Sequence, residues 1–172
     1  MNLSSLTAST DLIWAAANDA LDLESLDDNQ VRTLVDVACL LLMRRAERHS
    51  LIDSPAAARE LIRTWIGMEP NEVFGAMYMD TQHRIMESVI HFYGTIDSAS
   101  VHPRAIVQKA LELGCASVIF CHNHPSGIAE PSMADQQLTD VLIKALKLVD
   151  VRVLDHLIVG EKVISMAERG LL

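Results

Sequence analysis

Cys121-His122-Asn123-His124-Pro125-Ser126-Gly127, with Pro131-Ser132-Met133-Ala134-Asp135 close behind, is the stretch on which the reading of this chain turns. It follows Ala116-Ser117-Val118-Ile119-Phe120-Cys121, an uncharged run of the kind that forms a strand buried on both faces. Side chains alternate along a strand, so His122 and His124 project to one side and both imidazoles can reach one ion. The Pro- and Gly-containing loop from Pro125 to Pro131 turns the chain back. Ser132 then caps a helix carrying Leu138, Val141, Leu142, Ala145, Leu146 and Leu148 at helical spacing. Asp135 falls in the first turn of that helix, and its carboxylate points back toward the helix start.

Two imidazole nitrogens and one carboxylate oxygen form the donor set of a catalytic zinc site with its fourth position open. Zinc makes water nucleophilic near neutral pH, and hydrolysis also needs a carboxylate to carry the proton and a donor for the oxyanion. Ser132 suits the donor role. Glu72 and Glu87 are the candidates for the proton carrier. Residue chemistry alone leaves a second reading open: Ser132 is also an ordinary N-cap, Asp135 a favourable first-turn charge, and His-x-His a polar loop motif.

Strands and helices alternate on either side of this segment, which makes the region an α/β domain with a mixed sheet. Val73–Met79 and Ile85–Tyr93 read as a hairpin across the polar Asp80–His83 turn. Pro103 opens a helix that Gly114 ends. Val151–Leu154 and Leu157–Val159 read as strand interrupted near Asp155-His156, and Val163–Met166 as a last short strand. Residues 1–66 read as helical, with starts at Thr10-Asp11, Asp27-Asp28 and Ser54-Pro55, and 67–172 as the α/β domain.

Composition narrows the function classes. The chain has 172 residues, 14 basic against 23 acidic, and a net charge of −9, which argues against coating nucleic acid. The cluster Arg44, Arg45 and Arg48 includes Glu47 and reads as a solvated helix face. No apolar run is long enough to span a bilayer, the start lacks a secretory signal, and Cys39, Cys115 and Cys121 are too scattered for a disulfide framework. A cytoplasmic protein with no membrane association and no tight hold on nucleic acid is expected.

The spacing His122-x-His124-Pro125, then Ser132 and Asp135, resembles the JAMM metallopeptidase motif. The wider run His122–Gly127, Pro131-Ser132, Asp135, Thr139 and Leu154-Asp155-His156-Leu157-Ile158-Val159-Gly160 resembles the bacterial RadC-like branch. Gly94-Thr95, Pro103-Arg104 and the ending Ser165–Leu171 fit it too. The likeness covers residues 70 to 172. It implies a JAMM fold (cytidine-deaminase-like, a mixed sheet flanked by helices), zinc at the strand end carrying the histidines, and hydrolysis of a peptide or isopeptide bond on a substrate that is not identified. Glu72 matches the position of the motif's glutamate, and Glu87 fits less well. Relatives often carry a helix-hairpin-helix DNA-binding module in front, and residues 1–66 contain no Gly-rich hairpin of that kind. Asn123 stands where eukaryotic JAMM enzymes have Ser or Thr, as is usual in the RadC-like branch. The competing reading is a DNA-repair-linked accessory protein without catalysis. Asp155-His156 is either structural or supports a ligand from behind.

Overall fold

The computed structural model describes residues 26–49, 52, 54–94 and 101–172. The helix start read at Thr10-Asp11 lies outside these. Two compact units divide at Arg44/Arg45. Helix α1 (Asp28–His49) begins at a reciprocal cap, in which Asp27 Oδ1 accepts the Gln30 N–H at 2.8 Å and Gln30 Oε1 accepts the Asp27 N–H at 2.9 Å.

In the unit spanning 45–172, helix α2 (Pro55–Ile66) starts at Ser54, whose hydroxyl oxygen accepts the Ala57 N–H. The sheet is built from β1 (Val73–Met79), β2 (Ile85–Tyr93), β3 (Ser117–Asn123), β4 (Arg152–Val159) and β5 (Val163–Ser165). Helix α3 (Pro103–Leu113) leads into β3, and α4 (Met133–Lys147) connects β3 to β4. Strand order is β2-β1-β3-β4-β5, with β3 and β4 parallel and every other pair antiparallel, a mixed sheet as expected. The β3–α4–β4 unit is what a parallel pair requires, because its ends can only be joined by a crossover.

Alternation sorts the sheet residues into two layers. Phe74, Ala76, Tyr78, Val118 and Phe120 face α3 and α4, where Ile106, Ala110, Leu142 and Leu146 close the core. Gly75 and Cys121 face α2, and a side chain at Gly75 would collide with the Trp65 ring. Ala58, Ile62 and Ile66 of α2 are buried. The unit boundary therefore places α2 with the sheet, whereas its sequence position grouped it with residues 1–66; its apolar stripe needs the sheet face to be covered.

One strand differs from the reading of the sequence. β4 runs on through Asp155-His156, and the irregularity is a bulge just before that pair: Val118 faces Val153 and Ile119 faces Asp155, so Leu154 of β4 is the extra residue. The polar pair does not break the strand because each member finds partners on its own side of the sheet. Among the described residues, no helix is long and apolar enough to cross a membrane.

Candidate metal centre

The carboxyl end of β3 meets the amino end of α4, and the residues singled out in the sequence converge there. His122 and Asp135 are buried and His124 partly so. His122 Nε2 lies 2.9 Å from His124 Nε2 and 3.3 Å from Asp135 Oδ1, and His124 Nε2 lies 3.7 Å from Asp135 Oδ2. Ligand atoms held tetrahedrally at zinc–nitrogen and zinc–oxygen distances sit about 3.3 Å apart. The three separations bracket that value, so the donor set fits a small divalent cation in size and in chemistry. Two ring nitrogens this close are bridged by a hydrogen when one of them is protonated, and by a cation when both are bare.

These three side chains are held from behind. His124 Nδ1–H donates to the Ile128 carbonyl at 2.6 Å, which turns Nε2 inward. His122 Nδ1 is engaged by His156 Nε2 at 2.8 Å. Ser132 and Asp135 form a full capping box: Ser132 Oγ accepts the Asp135 N–H, and Asp135 Oδ2 accepts the Ser132 N–H at 2.7 Å. Burial alone would raise the Asp135 carboxyl. A proton on His122 Nε2, when that ring carries one, and the two donors of Ser132 outweigh it and hold the group well below the usual carboxylate range.

Ser132 stands beside the site, as its spacing suggested, but its hydroxyl proton is directed to Asp135 Oδ2 at 2.7 Å. Serving an oxyanion requires that hydroxyl to turn away from Asp135. Of the two glutamates, Glu72 brings a carboxylate oxygen within 4.8 Å of ring nitrogens of His122 and His124, and these three residues could themselves hold a metal ion. Glu87 sits opposite Tyr78, toward the far end of β1, and pairs with Lys109 at 2.8 Å.

Reasoning from the sequence alone missed how Glu72 is placed. Asn123 projects to the face opposite His122 and His124, where its carboxamide grips the segment entering β1. Its Oδ1 accepts the Val73 N–H at 2.7 Å, and its Nδ2 donates to the Glu69 and Asn71 carbonyls at 3.0 and 3.1 Å. The backbone is thus pinned on both sides of Glu72. Alternation was the signal available, since the residue between two ligands on a strand must face away from them.

Asp155 and His156 divide their roles. Asp155 accepts the Ser165 hydroxyl and the Ala167 N–H and so anchors the C-terminal turn. His156 faces His122, and burial keeps its pKa well below the ordinary histidine value. Beside His124 a cleft of about 320 Å³ is lined by Met68, Pro70, Asn123, His124, Pro125 and Gly160, among others. Met68 in its lining is exposed.

A family profile described as RadC-like JAB domain matches residues 52–171. The chain is 47% identical to a UPF0758 protein of Stutzerimonas stutzeri over 142 residues, 82% of this chain and 63% of that protein. A UPF0758 protein of Ectopseudomonas mendocina shows the same identity and coverage. Another, from Pseudomonas fluorescens, is 43% identical over 157 residues, 91% of this chain and 70% of that one. The chain spans about 63% of the length of the first of these relatives.

Proposed function

Because this chain belongs to the RadC-like JAB domain family, we propose that it is a zinc-dependent hydrolase that cleaves a peptide or isopeptide bond. The observation that carries the reading is the convergence of His122 Nε2, His124 Nε2 and the Asp135 carboxylate, at 2.9, 3.3 and 3.7 Å, with Glu72 beside them. His122, His124 and Asp135 would hold the ion. Two nitrogens and one oxygen with an open side favour zinc in a catalytic rather than a structural role. When bound, the ion supplies Lewis acidity, which lowers the pKa of water and polarises a carbonyl.

The remaining chemistry belongs to the protein's own side chains. Glu72 takes a proton from the attacking water and returns it to the departing amine, which one unligated carboxylate can do in sequence. Asn123 fixes where that carboxylate stands. Ser132 donates its hydroxyl to the developing oxyanion once it has turned from Asp135. The cleft beside His124, lined by Met68, Pro70 and Pro125, receives the substrate chain.

Metal analysis of protein purified without added zinc, followed by peptide and isopeptide turnover assays, tests this reading. Near-stoichiometric zinc is expected in the wild type and little in His122→Ala or Asp135→Ala. Glu72→Gln should retain zinc and fold but lose turnover. Equal zinc in wild type and both ligand variants would overturn the assignment, and zinc loss in Glu72→Gln would make Glu72 a ligand instead of a proton carrier.

A further inference from the structure

Beneath the metal ligands runs a chain of buried hydrogen bonds that neither holds the ion nor reaches the cleft. His122 Nδ1 meets His156 Nε2 at 2.8 Å, and His156 Nδ1 meets Thr139 Oγ1 at 2.6 Å. Thr139 Oγ1 in turn lies 2.6 Å from the Asp135 carbonyl oxygen. His122, Thr139 and His156 are fully buried, away from bulk solvent.

The direction of every proton follows from the carbonyl end. A carbonyl oxygen only accepts, so Thr139 gives it the single hydroxyl proton; Met166 Sδ, at 3.8 Å, is a longer and weaker acceptor. Toward His156 the Thr139 oxygen is then an acceptor, and His156 Nδ1 carries hydrogen. A second proton would make His156 a buried cation packed edge-on against Phe74 and Phe120, with no carboxylate in hydrogen-bond contact. His156 Nε2 is therefore bare and accepts from His122 Nδ1–H. His122 is left with its Nε2 lone pair directed at His124 and Asp135. His124 reaches the same tautomer independently, through Ile128.

We propose that Thr139 and His156 are positioning residues: the hydroxyl that bonds the Asp135 carbonyl in the first turn of α4 also sets, through His156, the tautomer in which His122 can bind a metal. The relay makes two ligands from different elements depend on one hydroxyl. Its consequence for metal affinity rests on the zinc reading above, whereas the tautomer itself does not. Removing the hydroxyl leaves His156 Nδ1–H without an acceptor. The His156 hydrogen then moves to Nε2, His122 Nδ1 becomes the acceptor, and the His122 hydrogen is placed on Nε2, where the metal would bind.

The test reads imidazole nitrogens by long-range ¹H–¹⁵N spectra of ¹⁵N-histidine-labelled, metal-free protein at about pH 8, where free imidazoles are neutral. Zinc affinity is measured in parallel by chelator competition. In the wild type, His122 should be protonated on Nδ1. In Thr139→Val that proton should shift to Nε2 while His124 is unchanged, with zinc affinity about 10- to 100-fold weaker. Thr139→Ser should restore both, and His156→Gln, which keeps one acceptor and one donor, should retain more zinc affinity than His156→Phe. A wild-type His122 with bare Nδ1 overturns the relay. So does an unchanged tautomer in Thr139→Val, or equal loss of affinity in the Val and Ser variants, which would be a packing effect. If the wild type binds no zinc but shows the expected tautomers, the metal reading fails and the relay stands. If Thr139→Val does not fold, the wild-type spectrum and the two His156 variants still decide.

Discussion

Replacing Asn123 with Ala removes the clamp that holds the Glu72 segment against the ligand strand, and its cost can be worked out bond by bond. The carboxamide makes three hydrogen bonds. Those to the Glu69 and Asn71 carbonyls lie where water can replace them, since Glu69 is half-buried and Asn71 exposed, so each is worth only about 0.5 kcal/mol. The third is different. Val73 is fully buried, and its N–H would lose its acceptor, at a cost of about 1–3 kcal/mol. Together these give about 2–4 kcal/mol, which at an ordinary urea dependence lowers the unfolding midpoint by about 1–2 M. His122, His124 and Asp135 do not use this carboxamide, so zinc content should be near wild type while turnover falls with the loosened Glu72. Equilibrium urea unfolding and metal analysis on the same preparations measure both arms. A stability within about 0.5 kcal/mol of wild type would refute the clamp, and parallel loss of zinc and turnover would refute its separation from the metal ligands.

Two further substitutions test the frame around the site. A Cβ at Gly75 would stand 2.9 Å from the Trp65 ring and 3.1 Å from Cys121 Sγ. Gly75→Ala should therefore destabilise by about 1–3 kcal/mol in thermal or urea unfolding, and Trp65→Phe should recover part of that loss; a neutral Gly75→Ala would show that α2 yields freely. His91, bonded to Tyr78 Oη at 2.8 Å, has its pKa lowered by burial and by Lys109. Below about pH 6.5 the unfolded chain takes up a proton there that the folded chain resists, so stability falls as pH drops from that point. His91→Gln should show a shallower decline between about pH 7 and pH 5, and identical slopes would exclude this contribution.

The convergence of His122, His124 and Asp135 was legible because each position rests on a short-range rule. His122 and His124 share a face by strand alternation, and Asp135 follows the cap of the next helix. The resemblance to the RadC-like branch pointed to the same residues. The sheet's composition was equally open to reading: an uncharged β3, a polar hairpin turn at Asp80–His83, and helices bounded by Pro103 with Gly114 and by Ser132. The apparent interruption at Asp155-His156 was not, because two polar residues in a strand look like a break until their partners are known. Those partners, Ser165 and Ala167 on one side and His122 and Thr139 on the other, come from three other elements. The placement of α2 was hidden for a similar reason, since nothing local in Pro55–Ile66 says that Trp65 closes over Gly75.

By itself, then, the sequence determined the α/β class, the hairpin, the capped helix and the His122, His124 and Asp135 set, all of which follow from periods of two and 3.6 residues acting over one or two elements. Only the tertiary structure brought Glu72, and not Glu87, to the histidine pair, gave Asn123 its grip on Val73 fifty positions away, and joined His122 to Thr139 through His156. These contacts depend on β3 lying between β1 and β4. Strand order is decided by which faces must be buried together across the whole sheet, and no local period carries that information.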